Sequence, residues 1–99
     1  MTQATIVRND EKNRFEATLD GETAVLTFHH NGKRLALIHT GVPEKLEGKG
    51  LASLLTKTAL QYARDNDFTV VPICPFVRSY LEQHPDEAEK AKLDLTKHA

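Results

Sequence analysis

Two glycines one residue apart, Gly48 and Gly50, stand in the stretch Leu46-Glu47-Gly48-Lys49-Gly50-Leu51-Ala52-Ser53. They lie between a strand-like run, Leu35 to Thr40, and an apolar-periodic run, Leu51 to Ala63. A glycine turn at a strand-to-helix junction bends tightly and leaves the first helical N–H groups without side-chain cover. Free donors at the positive end of a helix suit an anion, phosphate above all. A Gly-x-Gly by itself often does no more than turn a chain, but the strand before it and the helix after it are the context a phosphate cradle needs. The Walker pattern Gly-x-x-x-x-Gly-Lys-Ser/Thr is missing, which disfavours ATP or GTP. The second chemical candidate is Cys74, in Pro72-Ile73-Cys74-Pro75-Phe76. Free cysteine usually serves as a small buried hydrophobe. A helix beginning at Pro75 with its positive end aimed at the thiol would lower the thiol pKa and supply a nucleophile.

These groups need a scaffold, and the hydrophobic pattern provides one. Ala4 to Arg8 and Arg14 to Leu19 alternate as strands do, with the polar Asn9 to Asn13 as turn material. Asp20-Gly21 and Asn31-Gly32 favour tight reversals on either side of Glu22 to Phe28, and Arg34 to Thr40 follows. The result is a meander of four antiparallel strands. From Leu51 the apolar positions Leu51, Leu54, Leu55, Ala59, Tyr62 and Ala63 have helical spacing, with Thr56 and Lys57 opposite. Phe68 to Val71 is apolar without alternation, as expected of a strand covered on both faces. Strand, helix and strand imply a right-handed crossover that sets the fifth strand parallel to the fourth. A short helix from Pro75 runs through Val77, Tyr80 and Leu81 to a stop at Pro85. The expected fold is α+β: a twisted, mostly antiparallel five-stranded sheet with one long helix after the fourth strand. The glycine turn and Cys74 then meet at the carboxyl ends of neighbouring parallel strands, where crevices commonly hold ligands.

The chain has 99 residues, 39% of them hydrophobic, with no break in composition. One domain over residues 1–85 is expected, followed by a charged helix or tail over 86–99 with Leu93 and Leu95 as its anchors. Thirteen basic and fourteen acidic residues give a net charge of -1, which disfavours nucleic acid as a partner. One cysteine and no signal-peptide pattern point to the reducing cytoplasm, and no apolar stretch approaches the roughly 20 residues of a membrane span. His29, His30, His84 and His98 show no compact ligand spacing, so no metal is expected. A monomer or weak dimer is the expected state.

His39-Thr40-Gly41-Val42, the glycine turn and Val71-Pro72-Ile73-Cys74-Pro75-Phe76 together resemble the small, single-domain acetyltransferase-like proteins of the GNAT superfamily. The resemblance implies an acetyl-coenzyme A (acetyl-CoA) site and transfer of the acetyl group to an amine, with a carrier or sensor of acyl-CoA as the alternative. It implies a pyrophosphate held at Gly48, Lys49, Gly50, Leu51, Ala52 and Ser53, and a pantetheine arm along His39, Thr40 and Val42. Pro75 and Phe76 flank the cofactor, and Cys74 sits near the thioester, where the corresponding cysteine has been proposed as reactive. The superfamily's phosphate motif begins with Gln or Arg. Here Glu47 takes that place ahead of Gly50 and Ala52, and an acidic group near pyrophosphate is repulsive unless it turns to solvent. Larger relatives use a tyrosine as acid on the helix after the fifth strand. Tyr80 is the nearest candidate, but Leu81 holds the usual position, a helical step of about 100° away. Larger relatives also carry helices between the first two strands. Only Asn9 to Asn13 lie there in this chain, so the acceptor side should be open to an extended or protein-borne amine.

Overall fold

A computed structural model of the chain describes residues 4–94. The first four strands are β1 (Thr5–Asn9), β2 (Arg14–Leu19), β3 (Glu22–Asn31) and β4 (Arg34–Gly41), followed by a 3-10 turn at Glu44–Leu46. Then come α1 (Leu51–Asp65), β5 (Thr69–Pro72), α2 (Pro75–Gln83), α3 (Pro85–Lys90) and β6 (Lys92–Leu93). The strands lie in sequence order in one sheet, antiparallel through β4 and parallel from β4 to β6. The meander and the crossover follow the expectation. The β2–β3 hairpin turns at Asp20-Gly21, with Leu19 paired to Glu22, whereas the β3–β4 tip is Gly32-Lys33, because Asn31 pairs across to Arg34.

Alternation decides which face is buried. Phe15, Ala17, Leu19, Ala24, Leu26, Phe28, Leu35 and Leu37 form one apolar layer against Leu51, Leu55, Ala59 and Ala63 of α1. Their strand neighbours Arg14, Glu16, Thr18, Thr23, Val25 and Thr27 stay partly or fully exposed on the opposite face, which carries no helix among the described residues. The buried side of α1 is rotated from the expected stripe: Leu54 is exposed, while Thr56 and Leu60 are buried. The cause is α2, which packs against α1 and brings Val77 and Leu81 into the same core. Thr56 satisfies its hydroxyl by donating to the Ala52 carbonyl at 2.8 Å.

The sheet has six strands rather than five. The extra strand, β6, pairs Thr69 with Lys92 and Val70 with Leu93, and the Asp94 N–H extends the ladder to the Val70 carbonyl at 2.8 Å. Three ion pairs tie this C-terminal stretch to the body: Arg64–Glu87, Arg34–Asp94 and Lys92–Asp67. A two-residue strand has no period to read, and its partners are distant in sequence. Leu95, the second expected anchor, lies outside the described residues, as does His98. Among the described residues no helix is long and apolar enough to cross a membrane.

Candidate functional site

The glycine turn lies where the chain leaves β4 and enters α1. Gly48 and Gly50 both have left-handed backbones, with φ of +80° and +76°, which glycine adopts without steric cost. Gly50 caps α1, and its carbonyl accepts the first helical bond from the Leu54 N–H at 3.0 Å. No side chain caps the helix, and among the described residues no acceptor meets the N–H groups of Leu51, Ala52 and Ser53. A Cβ built on either glycine would meet nothing within 4 Å. The turn is therefore an open hollow, and the donors of the first helical turn face it unused.

That hollow is one end of a cavity of about 230 Å³. Its wall continues through Val42 after β4 and Leu46 of the 3-10 turn to Phe76 in the first turn of α2. The volume falls below the about 300–1,000 Å³ of pockets that take a whole drug-sized ligand, so it suits one segment of an extended molecule. Glu47 also lines the cavity, while the exposed Lys49 does not.

The second part of the site is a fork between β4 and β5. Their pairing ends at Leu37 and Pro72. The Leu37 carbonyl then accepts two N–H groups, from Ile73 at 3.1 Å and from Cys74 at 2.8 Å, and the two chains diverge. β4 continues to Gly41 paired only with β3. Thr27 pairs with His39 and Phe28 with Leu37, which makes Ile38 a bulged residue at the point of divergence. Past the bulge, the β4 edge at His39 and Thr40 has no partner strand on its β5 side.

The fork is bridged by one side-chain contact. Thr40 Oγ1 lies 3.3 Å from Cys74 Sγ, and Cys74 is only 3% exposed. Pro75 opens α2 directly after Cys74, as its missing N–H allows. The thiol bonds to Thr40 and does not cap that helix. The Arg78 guanidinium is pinned at the end of β5, its Nε donating to the Pro72 carbonyl at 2.7 Å.

Other candidates stand apart. Tyr80 is buried in the core, stacked on His84 with ring centroids 4.1 Å apart, and it does not line the cavity. Burial, reinforced by the Glu87 charge, raises its phenol pKa above the ordinary value. His39 is exposed on β4, and its Nε2 would lie 3.6 Å from a Cβ at Gly41. Lys57 lines a separate groove between α1 and β1. Among the described residues there is no group of three or more His, Cys, Asp or Glu side chains able to hold a metal.

The structure thus brings together the glycine turn, Leu51 to Ser53, Val42 and Phe76 around one cavity, and Thr40 with Cys74 at the fork. Sequence reasoning missed the bulge at Ile38, the Thr40–Cys74 contact and the role of Leu46 as a buried cavity wall. No local pattern announces the bulge, which shows only in the register between β3 and β4.

Comparison with known proteins agrees with this fold. The family described as GCN5-related N-acetyl-transferase matches residues 14–90. The chain is 35% identical over 83 residues to Protein NATD1 of Gallus gallus, covering 80% of this chain and 76% of that protein. It is 34% identical to Protein NATD1 of Homo sapiens, covering 80% and 74%. Its fold is similar to the NMR solution structure of a GCN5-like protein from Staphylococcus aureus, with a TM-score of 0.71 and 24% identity over 99% of this chain and 95% of that one. A fork between parallel strands, a glycine cradle at the following helix and a family match spanning both make this chain a member of the GCN5-related N-acetyltransferase family.

Proposed function

We propose that the chain is an acetyl-CoA-dependent N-acetyltransferase that acts on an amine, with Cys74 at the thioester. The observation that carries this reading is the open, donor-lined hollow at Gly48 and Gly50, joined by one cavity to the first turn of α2 beside Cys74. The free N–H groups of Leu51, Ala52 and Ser53 would hold the pyrophosphate. The unpaired β4 edge at His39 and Thr40 would take the pantetheine amides much as an added strand would. Bound there, acetyl-CoA supplies an activated acyl carbon.

Cys74 Sγ is the nucleophile at hand, and Thr40 holds it in place. Attack by Sγ on the thioester carbon breaks the carbon–sulfur bond to coenzyme A, whose sulfur keeps the proton that Sγ gives up. The acceptor nitrogen then attacks the Cys74 thioester, an amide forms, and the proton lost by nitrogen returns to Sγ. The helix-free face of the sheet leaves room for a protein-borne amine.

Titration calorimetry with acetyl-CoA tests the binding step, and absence of heat at high protein concentration refutes it. Intact mass after incubation with acetyl-CoA tests the chemistry. Wild type gains one acetyl group, Cys74→Ser does not, and Cys74→Ser loses transfer to amine acceptors while still binding. Equal transfer by both proteins refutes the thiol route. Glu47 in the cavity wall and Tyr80 outside it favour a second reading, an acyl-CoA carrier or sensor with little turnover. Tight binding with no transfer to a broad amine panel selects it.

A further inference from the structure

The corner Pro72-Ile73-Cys74 joins β5 to α2. From one side β4 grips it, through the Leu37 carbonyl that accepts the Ile73 and Cys74 N–H groups. Two carbonyls of the same corner are held by a single residue, Arg78. Its Nε donates to the Pro72 carbonyl at 2.7 Å, and its main-chain N–H donates to the Cys74 carbonyl at 3.1 Å. The first of these bonds lies on the side away from β4. Val70, two residues earlier in β5, turns its carbonyl to the Asp94 N–H beside β6. Successive carbonyls alternate along a strand, so the Pro72 carbonyl turns the same way. Among the described residues no other side chain bonds to the main chain of the corner. Arg78 does little else. It is exposed on α2, does not line the cavity at Gly48 and Gly50, and enters none of the described ion pairs. A charged guanidinium bonds a carbonyl more strongly than a neutral donor does, and Pro72 is buried.

Resting on the thiol reading above, we infer that Arg78 is a positioning residue for acyl transfer: it clamps the corner from the β6 side and so fixes Cys74 Sγ at its 3.3 Å contact with Thr40 Oγ1. Without the clamp the corner keeps the Leu37 bonds on one side only and can turn about them, carrying Sγ off its line of attack. A misplacement of about 1 Å can slow a reaction on the order of 100-fold. In this role Arg78 touches neither the thioester nor the amine, and the bonds made and broken are those already written for Cys74.

Two substitutions in the full chain test the clamp. Arg78→Gln places a neutral N–H donor as many bonds from the main chain as Nε, and Arg78→Met places a methyl group there. In the ligand-free protein, Arg78→Met should speed hydrogen exchange at the Ile73 and Cys74 amides roughly tenfold relative to the Leu55 amide of α1. Intact mass followed over time should show acetylation of Cys74 by acetyl-CoA slowed roughly 10- to 100-fold in that variant. Calorimetry should place its acetyl-CoA dissociation constant within about twofold of wild type, since the Gly48 and Gly50 hollow is untouched. Arg78→Gln should stay within about threefold of wild type in all three measurements. Slowing in Arg78→Gln as large as in Arg78→Met overturns the inference, because the charge and not the bond is then responsible. Acetylation at the wild-type rate in Arg78→Met overturns it too, as does a loss of binding equal to the loss of rate, which assigns Arg78 to the cofactor or to the fold. In each of those cases wild-type Cys74 is still acetylated and the thiol reading stands. No acetyl group on wild-type Cys74 overturns both.

Discussion

Replacing Gly50 with alanine separates what that residue does for the fold from what it does for a ligand. At φ +76° an L-residue is strained although a Cβ meets nothing within 4 Å, and the strain amounts to about 1–2 kcal/mol. For a domain of this size that lowers the melting temperature by roughly 4–16 °C. Gly32, at φ +61° in the β3–β4 turn, also has open space around its Cβ position, and it lies at the opposite end of β4 from the cradle. Gly32→Ala therefore imposes a similar backbone cost without touching the hollow. The affinity effects should diverge. The new methyl group at residue 50 projects into the space where a phosphate must approach the first-turn N–H groups. Loss of one charge-assisted hydrogen bond costs about 1.5–3 kcal/mol, a weakening of roughly 10- to 100-fold. Thermal melts give the first quantity and titration calorimetry with coenzyme A the second. The expected pattern is two comparable drops in melting temperature and a loss of affinity in Gly50→Ala alone. Equal affinities in the two folded variants would refute the placement of phosphate at this turn.

Glu47→Gln should tighten acetyl-CoA binding about threefold at low salt, by removing a negative charge from the cavity wall, with the gain shrinking as ionic strength rises; an unchanged constant at low salt would show that Glu47 faces away from the ligand. Because burial raises the Tyr80 pKa, the unfolded chain releases that proton first in alkali. Stability is thus fully present below the ordinary tyrosine range and falls as pH rises through it, a fall that denaturant melts should find reduced in Tyr80→Phe. Glu16 behaves in the opposite sense: the hydrogen bond from Arg14 Nε, aided by Asn9, holds its carboxyl below the usual glutamate range. Its contribution is present above that range and lost as pH falls through the lowered value, so Glu16→Gln should flatten acid unfolding curves. Arg34→Ala should speed hydrogen exchange at the Asp94 amide while changing overall stability by less than about 1 kcal/mol, as expected for a surface ion pair.

The parts of this fold legible in the sequence are those that a repeating pattern dictates. Phe15, Ala17 and Leu19 recur at a period of two because one face of β2 must be buried, and Leu51, Leu55 and Ala59 follow helical spacing for the same reason. Gly48 and Gly50 were legible because few residues tolerate a left-handed backbone, and their position between a strand and a helix specified a cradle. Other features depend on encounters between distant segments. The buried side of α1 includes Thr56 because α2 arrives there, and no local pattern announces that arrival. β6 exists because β5 offers an unpaired edge and three ion pairs hold a two-residue strand against it. Thr40 and Cys74 are separated by more than thirty positions, and their contact follows from where the two strands part.

One oxygen atom marks that parting. The Leu37 carbonyl serves two successive amides, Ile73 and Cys74, and beyond it the β4 edge at His39 and Thr40 runs on without a partner strand on that side. The groups involved belong to the main chain: every residue type carries the carbonyl, and every type but proline the N–H. Mutation can therefore exchange the surrounding side chains freely while the branch point survives, as a hinge survives repainting of the door. Lineages that diverge widely in composition can inherit the same opening and differ in what they present to the molecules that enter it.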